Sequence, residues 1–148
     1  MKIAIGCDHG AFDYKETIKK MLIDEGYEVE DCGTYSDAAV DYPDIALKTA
    51  ELVAQKKADK GIVMCGTGIG ISIAANKVPG IRCALCTDTT MARLTREHNN
   101  ANMLAMGQRI IGIELCKDIV HTFLNTNFSE GERHIGRINK ITATEEMK

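Results

Sequence analysis

Short apolar runs alternate with longer amphipathic segments five times along this 148-residue chain, and that rhythm constrains the fold more than any other feature. "KIAIGC" (2–7), "YEVEDC" (27–32), "GIVMC" (61–65), "IRCALC" (81–86) and "NMLAM" (102–106) have the length and the β-branched, apolar content of strands. Between and after them, helices are expected over 11–25, 43–57, 69–77, 88–98 and 112–125. Gly26 stands where a left-handed cap would end the first helix, and Pro43 suits the first turn of the second. Strands that alternate with helices pair in parallel through right-handed crossovers. The expected fold is therefore α/β: a three-layer α/β/α Rossmann-like sandwich with a five-stranded parallel sheet, built as one domain over 1–148. The arm 126–148 is a sixth helical candidate with no strand to follow it. Its Ile135, Ile138 and Ile141 fall three apart, so this protruding C-terminal helix is expected to lay an apolar stripe on a second subunit.

A net charge of -3 and a pI near 5.8 argue against nucleic acid as the main partner, because phosphate backbones need a broad basic surface. An anionic ligand would need its positive charge supplied locally. The opening "MKIAIGCDHG" breaks into polar residues too soon for a signal sequence, and no apolar run approaches the roughly 18 residues of a membrane span. The expectation is a cytoplasmic protein with no membrane partner. Four of the six cysteines (Cys7, Cys65, Cys83, Cys86) fall in or at the ends of strands, which points to reduced thiols rather than a disulfide scaffold. Cys83 and Cys86 have metal or redox spacing, yet strand alternation sends them to opposite faces and no second pair completes a zinc site. They are read as core, and no metal or cofactor is expected.

In open parallel sheets, ligands bind beyond the carboxyl ends of the strands. Strand one is followed by Asp8-His9-Gly10, strand two by Gly33 and a loop reaching Asp41-Tyr42-Pro43, and strand three by Cys65-Gly66-Thr67-Gly68-Ile69-Gly70. Strand four delivers Thr87-Asp88, and strand five delivers Gly107-Gln108-Arg109. His98 and Asn99, which lead into strand five, are read as part of the same rim.

Cys65 has two readings, a small buried hydrophobe or a catalytic thiol. Its position before a glycine loop and a helix N-terminus, whose positive end favours a thiolate, tips the balance to a general base. "GTGIG" can cradle an oxyanion with main-chain amides or bind a dinucleotide. Ile71 breaks the dinucleotide fingerprint, although Asp88 lies about where a ribose-binding acid belongs. Two histidines on the rim stand beside small polar neighbours, His9 with Asp8 and His98 with Asn99, and His98 near a helix C-terminus suits proton donation; His121 is read as structural or merely solvated. Arg133 and Arg137, four apart, form either a solvated face or a fork for a phosphate.

Taken together, "GCDHGAFDYKE" (6–16), "DYPD" (41–44), "CGTGIGISIAANK" (65–77), "REHNNANMLAMGQRIIG" (96–112) and "GERHIGRINKI" (131–141) resemble the type B ribose-5-phosphate isomerase family, which also holds allose- and galactose-6-phosphate isomerases. The resemblance implies strand order 2-1-3-5-4 and aldose–ketose isomerisation through a cis-enediolate, without metal or cofactor. It implies Cys65 as the base between C2 and C1, with Thr67 and His98 opening the furanose and Asp8 near the sugar hydroxyls. Amides from Gly66 to Gly70, through Gly68 and Ile69, would hold the enediolate together with Asn99, and Tyr42 would line the sugar pocket. His9, Arg109, Arg133 and Arg137 would bind phosphate, the last two across a homodimer with shared active sites or within a tetramer. Hexose 6-phosphates are the alternative substrates, and a non-catalytic nucleotide-binding module is the alternative from another class.

Overall fold

A computed structural model describes residues 1–147. Five strands, β1 (Lys2–Cys7), β2 (Glu28–Asp31), β3 (Lys60–Cys65), β4 (Cys83–Leu85) and β5 (Met103–Gly107), form one parallel sheet in the order β2-β1-β3-β5-β4. The helices are α1 (Phe12–Asp24), α2 (Tyr42–Ala54), α3 (Ile69–Ala75), α4 (Thr89–Asn99), α5 (Ile113–Asn125) and α6 (Glu132–Ala143), with short 3-10 turns at His9–Ala11 and Thr144–Met147. The architecture is the one expected from the chain, and the strand order is the one the resemblance implies.

Alternation along the strands sorts the core into two halves. Ile3, Ile5, Ile62, Met64, Leu104 and Met106 face one way, against Ile18 and Leu22 of α1, Ala92 of α4, and Ile119 and Phe123 of α5. Ala4, Val63 and Ala105 face the other way, against Ala46, Ala50 and Val53 of α2 and Ile71 and Ala75 of α3. Strands covered on both faces read as unbroken apolar runs, which is why the strand pattern is so plain. Each fully buried Ile, Leu or Phe contributes roughly 1.5–3 kcal/mol of transfer free energy. Cys83 and Cys86 do face opposite halves of this core, and all six cysteines are free and buried.

Local chemistry sets the element ends. Gly26, at φ 91, closes α1 as expected, its N–H reaching the Ile23 carbonyl at 3.0 Å and that of Tyr27 reaching Leu22 at 3.0 Å. Pro43 sits in the first turn of α2. The edge strand β4 is shorter than its apolar run suggested. The Arg82 N–H is taken by Asn102 Oδ1 at 2.8 Å and the Cys83 N–H by Asn76 Oδ1 at 2.7 Å, so side chains stand where a neighbouring strand would. The arm helix α6 buries none of its residues, and Ile135 and Ile141 remain 40% and 50% exposed. No helix among the described residues is long and apolar enough to cross a membrane.

Candidate active site

The sheet order reverses between β1 and β3, so their carboxyl ends open side by side. Beyond β1, Asp8 caps the turn that begins at His9: its Oδ1 accepts the Gly10 N–H at 2.9 Å, and its own N–H donates to the Met64 carbonyl at 3.2 Å. That leaves the Asp8 carboxylate 8% exposed, lining the same cavity as the loop after β3.

Beyond β3 the chain makes a tight loop into α3. Gly68 takes the left-handed conformation at φ 79, where a side chain would be strained, and its N–H donates to Cys65 Sγ at 3.1 Å. Thr67 Oγ1 accepts the Ile69 N–H at 3.1 Å. The sulfur is therefore aimed by the loop itself, and the first-turn amides of α3 have no intrahelical partner. Arg109, just past β5, donates its backbone N–H to the Gly66 carbonyl at 2.9 Å and carries its side chain across Gly66. Tyr42, the first residue of α2, lies against Gly70, where a methyl group would meet its Cζ at 2.7 Å.

These residues enclose a cavity of about 450 Å³. It brings together Asp8, His9, Tyr42, Cys65, Gly66, Thr67, Ile69, Gly70 and Arg109 from the expected set, with Gly68 buried behind the loop. Gly10 lines it too and is absent from that set, although it lies in the same Asp-His-Gly turn. The packing explains its size: a Cβ there would come within 3.0 Å of the Gly66 amide nitrogen.

His98 and Asn99 are not on this rim, contrary to the sequence reading. A helix that follows a strand runs back down the sheet, and the eleven residues of α4 carry it to the amino ends of the strands. There the Asn99 carbonyl accepts Arg82 Nε at 2.9 Å, immediately before β4 begins. Arg133 and Arg137 of α6 share that end of the molecule: the ring of the intervening His134 stacks on His98 with centroids 4.4 Å apart. Desolvation and the charges of His98, Arg133 and Arg137 hold His134 below the ordinary imidazole range. One chain thus carries a thiol pocket at one end and a cluster of cationic and imidazole side chains at the other.

Burial pushes Cys7, Cys83, Cys86 and Cys116 up to about 12, and none of them lines the cavity. Asp88 caps α4, its Oδ1 accepting the Met91 N–H at 2.7 Å. Among the described residues no group of three or more His, Cys, Asp or Glu side chains is arranged to hold a metal. The pocket's inventory suits moving a proton: a thiol, a carboxylate, an imidazole, a hydroxyl, and amides that can receive developing negative charge.

Comparison with known proteins points the same way. The family described as Ribose/Galactose Isomerase matches residues 3–141. The chain is 48% identical to ribose-5-phosphate isomerase B of Escherichia coli (strain K12) over 147 residues, covering 99% of this chain and 98% of that one. It is 46% identical over 128 residues to the galactose-6-phosphate isomerase subunit LacB of Clostridium acetobutylicum, covering 86% and 74%. The structure of Clostridium thermocellum ribose-5-phosphate isomerase B superposes with a TM-score of 0.98 at 54% identity, over 99% of each chain. The fold, the thiol pocket at its switch point and these likenesses together establish that the chain belongs to the ribose/galactose isomerase family and is an isomerase.

Proposed function

We propose that this enzyme interconverts ribose 5-phosphate and ribulose 5-phosphate, a reaction of the pentose phosphate pathway, through a cis-enediolate with Cys65 as the base. The observation that carries the reading is the Cys65 sulfur, oriented by the Gly68 amide into a cavity that also holds Asp8, Thr67 and Arg109. With the ring open, the Cys65 thiolate takes the proton from C2, and the electron pair moves to the carbonyl at C1. The same sulfur, now a thiol, returns the proton to C1 while the C2 hydroxyl gives up its proton as the carbonyl forms there and the C1 oxygen takes one up, so protons and electrons balance and no redox partner is needed. Amides of the Gly66–Gly70 loop would stabilise the enediolate oxygen, where one such donor contributes roughly 3 kcal/mol. Asp8 would meet the sugar hydroxyls, Thr67 would help open the ring, and Tyr42 would line the sugar.

Phosphate binding argues for a second copy of the chain. Arg109 is the single Lys or Arg side chain lining the cavity among the described residues, joined there by His9. A dianion calls for more, and Arg133, Arg137 and His98 lie at the far end of the same chain, beside an arm helix with an exposed apolar side. In a homodimer those groups, with Asn99, enter the neighbour's cavity. His98 would then assist ring opening and the arginines would grip phosphate bidentately. Bound remotely, phosphate orients a small flexible sugar for proton transfer. The relatives' names include a galactose-6-phosphate isomerase subunit, so six-carbon phosphates are the alternative substrates.

Proton NMR in heavy water tests the reading. Ribulose 5-phosphate should form from ribose 5-phosphate, with solvent deuterium entering the carbon skeleton at a rate indifferent to EDTA. Cys65→Ala should abolish it, and near-full activity in that variant would dismiss the thiol base. Turnover confined to hexose phosphates would keep the chemistry and change the substrate.

A further inference from the structure

His9 stands between two cavities, the thiol pocket and a neighbouring one of about 370 Å³ lined also by Asp13, Tyr35, Asp37 and Gln108. Its ring is not free to choose its hydrogen-bonding role. The backbone N–H of Val40 lies 3.2 Å from His9 Nδ1. A backbone amide can only donate, so Nδ1 must present a lone pair, and the ring proton then sits on Nε2. A proton on Nδ1, in either the other tautomer or the imidazolium, would oppose two donors and break the contact.

The loop that carries this amide is anchored where it leaves β2. Asp31, at the end of β2, accepts the Gly33 N–H on Oδ1 at 2.9 Å and binds Lys15 and Lys19 on Oδ2 at 2.7 and 3.0 Å. Lys15 is wholly buried, with its ammonium 5.3 Å from the Phe12 ring centroid and 5.6 Å from that of Tyr35. The Tyr35 hydroxyl returns to the Asp31 carbonyl at 3.1 Å, and Thr34 and Gly33 bond to Cys7 at the end of β1. Lys15 belongs to the helix that comes after His9. Through Lys15 and Asp31 the start of the 33–40 loop is thus tied to the helix that follows His9, and Val40 brings the loop's end to the imidazole.

We propose that the 33–40 loop is a positioning element that fixes His9 as its Nε2–H tautomer through the Val40 amide, so that His9 meets the sugar phosphate as a hydrogen-bond donor. This rests on the reading of the cavity as a sugar-phosphate pocket. Val40 touches no substrate; it acts through His9. A donor at Nε2 attracts the oxygens of an anionic ligand, whereas a bare Nε2 lone pair would repel them.

The test reads the tautomer directly, without substrate. Nitrogen-15 long-range correlation spectra of the free protein at about pH 8, above the ordinary imidazole range, should give His9 a pyridine-like Nδ1 and a protonated Nε2. Val40→Pro deletes the donor; it should shift His9 toward a tautomer mixture and raise KM for ribose 5-phosphate about tenfold, with kcat within about threefold. Because that variant also stiffens the loop, a second pair separates the roles of the two nitrogens. His9→Gln keeps an amide donor near the Nε2 position and should retain most of the affinity, while His9→Asn, with polar atoms only near Nδ1, should lose it about tenfold or more. A protonated Nδ1 in the wild type, or His9→Asn binding as well as His9→Gln, would overturn the assignment. A correct tautomer in a protein that turns over no sugar phosphate would instead refute the proposed function and leave the tautomer standing.

Discussion

Gly107 ends β5 directly beside the thiol loop, and a methyl group there gives the sharpest test of how that loop is held. A Cβ at Gly107 would lie 2.4 Å from the Thr67 carbonyl carbon, 2.5 Å from its oxygen and 2.7 Å from its Cα. All three are backbone atoms, so no flexible side chain can swing away. Ordinary van der Waals contact begins near 3.4 Å, and 3.4 minus 2.4 leaves about 1 Å by which loop and strand must separate. Overpacking of this kind costs roughly 1–3 kcal/mol. At about 2–4 °C per kcal/mol for a chain of this size, Gly107→Ala should lower Tm by about 2–12 °C. The loss of activity should be larger in proportion, because a 1 Å displacement of reacting groups costs on the order of a hundredfold. Thermal unfolding and isomerase kinetics on the same preparation measure both, with Gly112→Ala as the control, since nothing lies within 4 Å of a Cβ there. Native Tm together with kcat/KM within twofold of wild type would refute the claim that β5 sets the position of the oxyanion loop.

Three further outcomes rest on the same geometry. In the native protein, a thiol reagent at about pH 8 should modify Cys65 first, with inorganic phosphate or substrate slowing it, because Cys65 lines the cavity whereas burial away from it raises Cys7, Cys32, Cys83, Cys86 and Cys116; all six should react in denaturant, and native modification of several at once would contradict the packing. Burial works against ionisation of Asp31, yet Lys15, the Gly33 amide and Lys19 outweigh it and hold its carboxyl below 3.8. Its folded-state pKa is depressed, so its stabilisation is complete above the unfolded value and is lost as pH falls from there through the lower folded value; Asp31→Asn should be less stable than wild type by about 3–5 kcal/mol near neutrality, as for a broken buried pair, with the gap closing on acidification in urea melts. Finally, mixing Cys65→Ala chains with His98→Ala chains, each nearly inactive alone, should regain a substantial fraction of activity as mixed dimers form; no recovery after subunit exchange would argue against shared sites.

Some of this was legible because the signals are local. Alternating apolar runs and amphipathic segments announce strands and helices wherever they occur, and the carboxyl end of each strand is set by chain direction. Asp8, Cys65, Thr67 and Arg109 could therefore be assigned to one rim, and the cavity contains them. The same logic applied one element too far puts His98 on its own chain's rim, where it does not lie. It precedes β5, and chain direction alone places it at the amino end, where α4 terminates.

What the linear pattern determined was the set of elements, the parallel sheet they demand, and which residues stand just beyond each strand, since those depend on neighbours in the chain. Tertiary structure decided the remainder. No local pattern marks Lys15, a helix lysine among charged neighbours, as wholly buried against Asp31, because its partner lies sixteen residues on and its burial is made by Phe12 and Tyr35 closing over it. Nor does any spacing announce that the Val40 amide meets His9, thirty-one residues away, or that Tyr42 lies against Gly70. Those contacts exist only because β1, β2 and β3 lie side by side, a choice set by how the two apolar faces of the sheet are covered.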